Sequence, residues 1–415
     1  MASYALGMRV TRSYDGPSLD VADLPYFPVS DPSFSVQSST VRAARESGWC
    51  ARTPYGLAII RYDEVNELIK DRRLRQGSWA WPAHNGVSGR FADWWAGWLM
   101  NIEGEDHARL RRLLNPAFSP KALAALSPQF TALANELIDD FAEIGRCEYV
   151  SQFAEPYAAR VIAILLGLPQ EEWPRIAEYS TTIGLAMGVT FAQELPRVEE
   201  ALDNLLAYGD EIIADRRAKP KDDFATRLVQ AQRDDDAMTD QELKDALALL
   251  IFGGFDTTRN QLGLAMQTFL QHPDQWKILA ANPDLGGAAV EEVMRVNPTV
   301  TWVTREALVD FDFQGLPIKA GTTIHLFSES AGTDPRAMEN PEFDITVTGR
   351  PPHFGFGGGA HHCLGHFVAR FDMSVALPLL AQRLTEPYID GEASWMPLSG
   401  NTGPNSLPLS FTPRA

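Results

Sequence analysis

FGGGAHHCLGHFVAR, at residues 356–370, is the stretch that decides the fold. Its glycine-rich half delivers one cysteine, Cys363, to the start of an amphipathic helix. Backbone N–H groups and the positive end of the dipole at a helix N-terminus stabilise a negatively charged sulfur and tune its electron donation. Gly365, two residues further on, leaves room for a flat ligand to lie close to the backbone. The stretch therefore predicts a thiolate ligand site.

This run resembles the cysteine loop of the cytochrome P450 family, which is written F, G, x, G, x, H, x, C, x, G. The residues at the fixed positions are Phe356, Gly357, Gly359, His361, Cys363 and Gly365. The resemblance implies that Cys363 is the axial ligand of the iron in haem b. It also implies that Phe356 shields the sulfur, that His361 meets a haem propionate and that the macrocycle lies close to Gly365.

Two other interpretations of this loop need no haem. A glycine-rich turn can hold a buried structural cysteine. A zinc site could instead draw its ligands from His361, His362, Cys363 and His366. Adjacent residues rarely converge on one tetrahedral centre, however, and only one thiolate is present. The match at every fixed position favours haem over both alternatives.

A second motif lies in a long predicted helix. Thr239 followed by Glu242 forms a capping box, and helical periodicity then continues to Gln271. Gly253 and Gly254 stand in the middle of this helix, where each costs about 1 kcal/mol relative to alanine. A sequence that accepts this cost usually needs a bend or the close approach of something bulky.

Asp256 and Thr257 follow the two glycines. An acid beside a hydroxyl at a helix irregularity can feed protons from water into an apolar pocket. The segment LLIFGGFDTTRNQ, at residues 249–261, resembles the oxygen-activation motif of the P450 family, written A/G, G, x, D/E, T, T. The resemblance assigns Thr257 to hydrogen-bonding dioxygen, Asp256 to the proton relay and Gly254 to the groove in which dioxygen sits.

Three further basic residues match positions at which family members hold the haem propionates. His107 and Arg111 lie four residues apart on one predicted helical face, and Arg305 lies on an extended segment after Pro298. Without the resemblance, a solvated basic helix face would be the more ordinary interpretation of His107 and Arg111.

Glu292 and Arg295 share one face of a helix that Pro298 stops, and they match the E, x, x, R motif of the family. The resemblance implies a buried structural pair behind the cysteine loop, whereas an isolated pair of this spacing stabilises a surface helix only slightly. The third member in the family is an arginine shortly before the cysteine loop. Arg350 is the candidate here, with Val347 at the position where the family spacing places the arginine.

The chain as a whole predicts a mainly α fold with small segregated β-sheets, an α+β layout. We expect strands within residues 49–61 and 308–327, and helices at residues 62–71 and 364–384. Residues 131–217 are expected to be helical, with interruptions at Pro156, Pro169, Pro174 and Pro196. Residues 74–100, which are rich in large aromatic side chains, are expected to be loop-like. The resemblance implies a triangular, prism-like P450 fold with its long central helix across the haem.

The chain has 415 residues, 45% of them apolar and 22% charged, with three cysteines and a formal net charge of −18. No apolar run reaches the ~18 residues of a membrane span, and the first residues lack the pattern of a signal peptide. The few cysteines suit a reducing compartment, and the negative charge argues against nucleic acid and anionic membranes as partners. We expect a single soluble, cytoplasmic domain over residues 1–415, with residues 1–48 as an uninformative N-terminal extension.

Positions that line the pocket in family members are mostly apolar or aromatic in this chain. They are Trp79, Trp81, Phe91, Trp94, Trp98, Ile183, Met187, Leu249, Phe252, Val300, Trp302 and residues 401–404. Such walls suit a hydrophobic or aromatic guest, although each tryptophan could equally belong to the core. Arg90 is a candidate partner for a substrate carboxylate.

Together these features predict a haem-thiolate monooxygenase that inserts one atom of O2 into a small hydrophobic molecule, by hydroxylation, epoxidation or O-dealkylation. The chain lacks a nucleotide-binding fingerprint such as GxGxxG, so its two electrons are expected from a ferredoxin with its NAD(P)H-dependent reductase. Arg109, Arg112 and Lys121 form a candidate docking patch for that partner. The alternatives are a haem-thiolate peroxygenase or isomerase, which needs no proton relay, and a non-catalytic haem sensor or carrier.

Overall fold

The computed structural model describes residues 19–235 and 238–413. In these ranges the chain is mainly helical and its short strands form small separate sheets, so the predicted fold class is confirmed. The helices are α1 Ser39–Ser47, α2 Tyr62–Leu68, α3 Trp81–His84, α4 Arg90–Gly97, α5 Gly104–Leu114, α6 Pro120–Ala142, α7 Glu155–Leu166, α8 Trp173–Gly184, α9 Phe191–Ala218, α10 Phe224–Asp235, α11 Asp240–Gln271, α12 Pro273–Ala281, α13 Gly286–Val296, α14 Ser328–Gly332 and α15 His366–Arg383. The strands are β1 Cys50–Thr53, β2 Gly56–Ile59, β3 Leu74–Gln76, β4 Arg146–Glu148, β5 Trp302–Ala307, β6 Phe311–Phe313, β7 Leu316–Ile318, β8 Thr323–Phe327, β9 Leu384–Ile389, β10 Ser394–Trp395, β11 Pro404–Ser406 and β12 Pro408–Pro413.

The central helix is α11, and α7, α8 and α9 pack against it. The Glu242 N–H donates to Thr239 Oγ1 at 3.1 Å and the Thr239 N–H donates to Glu242 Oε2 at 2.8 Å, so the predicted capping box is confirmed. α15, which follows the cysteine loop, packs against α6 and α13. Although α9 and α11 are long, no helix of the described residues combines the length and apolar character that crossing a membrane requires.

The largest sheet has the order β1-β2-β8-β5-β3, in which β2 and β8 are parallel and the other neighbours are antiparallel. A second sheet has the order β4-β12-β9, and β6 with β7 forms a hairpin. Within residues 308–327, β8 leaves that hairpin and instead lies between β2 and β5. Every residue of β8 is buried, so this strand lies in the interior and forms part of the wall of the functional site.

The aromatic segment at residues 74–100 is largely helical, and the expectation of a loop is wrong. α4 buries Phe91 and Trp95, which lie one turn apart on the same face, and Trp98 follows at the next turn. The adjacent pair Trp94 and Trp95 obscures this period in the sequence, because aromatic residues then appear on more than one face.

Within residues 131–217 the helices are interrupted near Pro156, Pro169 and Pro174, as expected, whereas the interruption expected at Pro196 is wrong. Pro196 lies inside α9 and does not interrupt it. A proline removes one N–H donor from the helix, and the packing of α9 against α8 and α11 compensates for this loss. Pro156 and Pro174 lie in the first turns of α7 and α8, where the N–H has no partner within the helix anyway. β4 is a strand of three residues that pairs with the distant β12, which no local pattern reveals.

The described part of the N-terminal segment is integral to the fold and is not an extension. Phe27 and Val29 are fully buried, and the Phe27 N–H donates to Arg52 O at 2.8 Å. Arg45 on α1 is buried too and donates to Thr333 Oγ1 at 2.9 Å. Residues 1–18, 236, 237, 414 and 415 lie outside the described residues.

Candidate active site

A large internal cavity lies between α11 and the cysteine loop. It encloses about 370 Å³ and its wall is mostly apolar. Asp256 and Thr257 line it from α11, and Cys363 and Gly365 line it from the loop. The two motifs that the sequence singled out therefore meet at one site.

The cysteine loop is held in shape by tight backbone contacts. The Cys363 N–H donates to Phe356 O at 2.9 Å. Gly359 has a φ angle of 68°, and a Cβ at this position would come within 2.7 Å of Ile69 O, so the turn requires glycine. The guanidinium of Arg370 lies 4.3 Å from the centroid of the Phe356 ring, which fixes that ring beside the cysteine.

The surroundings of Cys363 act on its sulfur in opposite directions. Burial raises the pKa of the thiol, whereas the Gly365 N–H and the Arg111 guanidinium lower it. α15 begins at His366, so its first N–H groups and its positive dipole end lie just beyond the sulfur. Because a coordinated metal ion deprotonates a thiol outright, this position suits a metal-bound thiolate.

The wall beside the cysteine loop fits a flat dianionic macrocycle. A Cβ at Gly365 would meet nothing within 4 Å, so open space adjoins the backbone there. The Arg111 guanidinium donates to His362 O at 2.8 Å, and that of Arg305 donates to Gly358 O at 3.0 Å. Among the described residues neither guanidinium has a carboxylate at ion-pair distance, and burial lowers the pKa of Arg305 to about 10. Two such cations are what the two propionates of haem require.

The two predicted histidines lie at the same rim of the cavity. His107 and His361 have ring centroids 4.1 Å apart, and both line the cavity. Burial, with contributions from His361 and Arg111, lowers the pKa of His107 to about 4, so its imidazole is neutral at pH 7. His361 Nε2 lies 3.0 Å from Glu103 Oε1. The structure thus brings together the four basic residues expected to hold propionates.

The carboxyl group of Asp256 is buried in the cavity wall, and its burial raises its pKa to about 6. Asn401 donates a side-chain hydrogen bond to Asp256 Oδ2, and Thr299 Oγ1 donates to Asn401 Oδ1 at 2.5 Å. The Thr257 hydroxyl donates to Gly253 O at 2.8 Å within α11. An acid that titrates near neutral pH and a hydroxyl therefore lie side by side in the wall.

Gly254 lies against α7 on one side, and the groove for dioxygen expected at this residue stays a prediction. A Cβ at Gly254 would overlap Ile162 Cδ1 of α7, whereas one at Gly253 would touch Leu249 at an ordinary 3.6 Å. Gly254 thus lets α7 approach α11 closely, and both Gly254 and Ile162 line the cavity.

The E, x, x, R residues form a buried ion pair. Arg295 Nη2 lies 2.6 Å from Glu292 Oε1, and the same guanidinium donates to Gly332 O at 2.8 Å. Arg350 Nε lies 3.3 Å from Glu292 Oε2, so Arg350 completes the network. Val347 is 38% exposed and does not occupy the place of an arginine in it.

Part of the predicted pocket lines the cavity. These residues are Trp81, Met187, Leu249, Phe252, Val300, Trp302 and Asn401. Trp95, Ile162 and His325 line it as well, and the sequence interpretation missed them. Trp95 lies one turn after Phe91, which is a signal that helical periodicity offers once α4 is recognised. His325 lies in an entirely buried strand and gives no such signal.

Eight predicted pocket positions do not line the cavity formed by the described residues, and these assignments are corrected. Phe91, Trp98 and Ile183 are at most 1% exposed and pack in the core. The indole N–H of Trp79 donates to a carboxylate oxygen of Glu306 at 2.9 Å, and that of Trp94 donates to Asp245 at 2.9 Å. Their ring nitrogens thus have protein partners. Residues 402–404 likewise stay outside the lining.

Two assignments of charged residues also change. Arg90 forms an exposed ion pair with Asp203 and does not line the cavity, so it is not placed to meet a substrate carboxylate. Arg109 pairs with Glu242 at 2.5 Å and therefore ties α5 to α11. Arg112 and Lys121 are exposed.

The zinc interpretation finds no support in the part of the chain that the structure describes. No three side chains among its His, Cys, Asp and Glu residues are grouped so that they could hold a metal ion. His366 Nδ1 instead lies 2.7 Å from Arg370 Nη1. The description of a buried structural thiol fits Cys147, which lies on β4 and does not line the cavity, whereas Cys363 lines it.

Comparisons with known proteins identify the family to which the chain belongs. A model of the cytochrome P450 family matches residues 285–407, which include the cysteine loop. Luteothin monooxygenase of Streptomyces thioluteus is 38% identical over 394 residues, which are 94% of this chain and 97% of that protein. Mycinamicin IV hydroxylase/epoxidase of Micromonospora griseorubida is 33% identical over 342 residues, which are 80% of this chain and 84% of that protein. The crystal structure of P450BioI in complex with an acyl carrier protein ligated to hexadec-9Z-enoic acid has a TM-score of 0.81 and 28% identity, and covers 90% of this chain and 98% of that one.

A mainly helical fold with small separate sheets, in which Cys363 lines the same cavity as Asp256 and Thr257, is typical of haem-thiolate proteins. The chain belongs to the cytochrome P450 family. It is a haem-thiolate monooxygenase, an oxidoreductase that incorporates oxygen from O2 and takes its electrons from a redox partner.

Proposed function

We propose that this monooxygenase binds haem b through Cys363 and inserts one oxygen atom into a hydrophobic or aromatic small molecule. The observation that supports this is a single, mostly apolar cavity lined both by Cys363 and by the pair Asp256 and Thr257. Hydroxylation, epoxidation and O-dealkylation are the reactions that we expect. Bound haem supplies the reductive activation of O2, with electron donation from the thiolate.

The basic residues at the rim would hold the cofactor. Arg111 and Arg305 offer charge-assisted hydrogen bonds to the propionates, and His107 and His361 offer ring N–H groups. Gly365 leaves open space beside the backbone, where the macrocycle would lie. Phe356, fixed by its contact with Arg370, would cover the sulfur and limit its access to water.

The α11 pair would move protons into the cavity. With a pKa of about 6, the Asp256 carboxyl can both accept and release a proton near neutral pH. The Thr257 hydroxyl can exchange its bond to Gly253 O for one to a ligand in the cavity. Gly254 supports this pair indirectly, since it lets α7 pack against α11 at this point.

A ferredoxin with its NAD(P)H-dependent reductase is the proposed source of electrons. Arg112 on α5 and Lys121 on α6 are exposed, and they would meet an acidic partner. α5 also carries Arg111, which lines the cavity, so a partner at this face would lie close to the cofactor. Arg109 is left out of the docking patch because it pairs with Glu242.

We also propose that residues 1–415 form one domain that works in the cytoplasm. Burial of Phe27 and Val29 on the large sheet supports a single folding unit. Cys50 and Cys147 are free thiols in the core, which suits a reducing compartment.

A haem-thiolate peroxygenase or isomerase is the second candidate function, because the same thiolate could serve either reaction. The buried Asp256 disfavours it. Holding a carboxyl group in an apolar wall carries a desolvation cost, and a reaction that needs no proton delivery gains nothing in return.

The absorption spectrum of the reduced, CO-bound protein tests the proposal. Thiolate ligation predicts a red-shifted Soret band, which Cys363→His should abolish. Cys147→Ala is the matched control, because it removes a buried thiol that lies on β4 and does not line the cavity. A wild-type spectrum without the red-shifted band would contradict the proposal.

A further inference from the structure

One corner of the cavity wall is polar although aromatic side chains surround it. It consists of Trp302 and Thr304 on β5 and His325 on β8, with the exposed His84 at its outer side. Thr304 and His325 are directly opposite each other in the antiparallel pair, so their side chains share one face of the sheet. We call these four residues the polar corner.

His325 has an unpaired nitrogen. Only 1% of its surface is exposed, and its Nδ1 lies 3.3 Å from Thr304 Oγ1. Its Nε2, at the other edge of the ring, has no hydrogen-bond partner among the described residues. Tyr55 and Trp302 pack around the ring, with centroids 6.0 and 5.3 Å away. A buried polar nitrogen without a partner is unfavourable, so a ligand that supplied one would gain binding free energy.

Trp302 offers a second donor at the same place. Its ring lines the cavity, and its indole N–H has no partner in the described part of the chain. Gly400 places no side chain against this edge of the ring, where a Cβ would be in van der Waals contact with Trp302 Nε1 at 3.5 Å. Trp81 also lines the cavity, but its N–H already donates to Ala186 O at 2.8 Å. The two tryptophans therefore differ in what they can offer to a guest.

The polar corner is uncharged at neutral pH. Burial, together with the nearby His84, lowers the pKa of His325 to about 3, and burial also lowers the pKa of His84. The arginines in the described cavity wall are Arg111 and Arg305, which are assigned above to the propionates. A carboxylate would thus lose its water at the corner without gaining an ion pair. A neutral oxygen would lose much less.

We propose that Trp302 and His325 bind a neutral carbonyl oxygen of the substrate, such as that of a ketone, ester or lactone. The Trp302 N–H can only donate, and His325 donates from Nε2 when the Thr304 hydroxyl donates to Nδ1. Their ring centroids lie 5.3 Å apart and both residues line the cavity, so the two side chains are neighbours in the same part of its wall. The proposal rests on the proposed function, because the guest of this cavity is the molecule that is oxidised.

Binding titrations of the haem-loaded enzyme test this subsite with matched ligand pairs. Each pair combines a carbonyl compound with a hydrocarbon of similar shape: progesterone with pregnane, 2-tetralone with tetralin, and methyl tetradecanoate with pentadecane. Kd values come from the spectral shift of the haem, or from competition where a ligand causes none. In at least one pair, Trp302→Phe should weaken carbonyl binding by about three- to tenfold and leave hydrocarbon binding unchanged, as expected for one lost hydrogen bond.

Three further variants separate hydrogen bonding from shape. His325→Met should lose the carbonyl preference as Trp302→Phe does, whereas His325→Gln should keep part of it, because its amide can donate from a similar place. Trp81→Phe removes an indole N–H that already has a protein partner, so the ratio of the two Kd values should not change. The CO-bound spectrum of each variant shows whether its haem site is intact.

The proposal is overturned if no carbonyl compound of the set binds the wild type, or if Trp302→Phe keeps the wild-type ratio of Kd values. An equal loss of preference in Trp81→Phe and Trp302→Phe also overturns it, since the effect would then come from ring shape. Should His325→Met fail to fold, Trp302→Phe alone decides. A CO-bound wild type without the red-shifted Soret band is a different outcome, and it counts against the proposed function.

Discussion

The side-chain amide of Asn401 donates a hydrogen bond to the carboxylate of Asp256, the acid proposed for the proton relay. The backbone of Asn401 also forms a β-bridge with Val300, and both residues line the cavity. The wall proposed to contact the substrate is thus joined directly to the group proposed to deliver protons. A bound ligand that moves this wall would therefore change the hydrogen bonding of the Asp256 carboxyl group.

Asn401→Ala should raise the pKa of Asp256 above its present value of about 6, because the amide hydrogen bond favours the charged form. The limb of the kcat profile on which activity falls as Asp256 loses its proton should then move to higher pH by roughly 0.5 to 1 unit. Asn401→Gln, which retains an amide, is the control and should shift less. A profile that stays in place in Asn401→Ala would show that this bond does not set the protonation of Asp256.

Thr257→Ala should uncouple electron use from product formation. The variant lacks the hydroxyl that holds a proton beside the bound ligand, so product per NAD(P)H should fall roughly tenfold and peroxide should rise. Thr257→Ser keeps a hydroxyl and should stay close to the wild type. If product per NAD(P)H is unchanged and peroxide does not rise in Thr257→Ala, the relay assignment fails.

Asp256→Asn should stabilise the protein at alkaline pH. The folded-state pKa of Asp256, about 6, lies above its ordinary value of 3.8, so the folded protein prefers the protonated acid. The stability from protonation is fully present below 3.8 and is lost as the pH rises through about 6. The amide cannot ionise. At pH 8 the free energy of unfolding of the variant should therefore exceed that of the wild type by about 2–3 kcal/mol, whereas below pH 4 the two values should be nearly equal. Urea unfolding of the holoprotein at both pH values measures this, and a pH-independent gain would point to packing instead.

Arg295→Ala should destabilise the fold by about 3–5 kcal/mol, because it removes the main partner of the buried Glu292. Arg350→Ala should cost less, since its contact with Glu292 is longer, at 3.3 Å. Val347→Ala is the control and should be nearly neutral, as this side chain is partly exposed. Unfolding free energies from urea titration give the order, and equal costs for Arg350→Ala and Arg295→Ala would contradict it.

The double variant Arg112→Gln with Lys121→Gln should slow reduction by an acidic ferredoxin and flatten its dependence on salt, since rim charges act mainly on association. Arg109→Gln is the matched control, because Arg109 pairs with Glu242 of the same chain. Loss of this ion pair should lower the stability of the protein and leave the rate of reduction nearly unchanged. Stopped-flow reduction over a range of ionic strength measures both. Kinetics unchanged from the wild type in the double variant would remove the docking patch.

The sequence by itself determined the features that depend on near neighbours in the chain. The Thr239 capping box, the extent of α11 and the pairing of Glu292 with Arg295 follow from helical spacing, which fixes residues three or four apart on one face. The cysteine loop is equally local, because its glycines set the turn that leads Cys363 to α15. A few neighbouring residues are therefore enough to determine these features.

Only the tertiary structure decided which side chains face the cavity and what they touch. Trp95 lines it while the adjacent Trp94 turns to Asp245, and the hydrogen bond from Asn401 to Asp256 joins residues far apart in the chain. The unpaired Nε2 of His325 likewise depends on how β8 is placed between β2 and β5. These relationships depend on packing between distant elements, and no local periodicity encodes which polar atom finds a partner and which is left for a ligand.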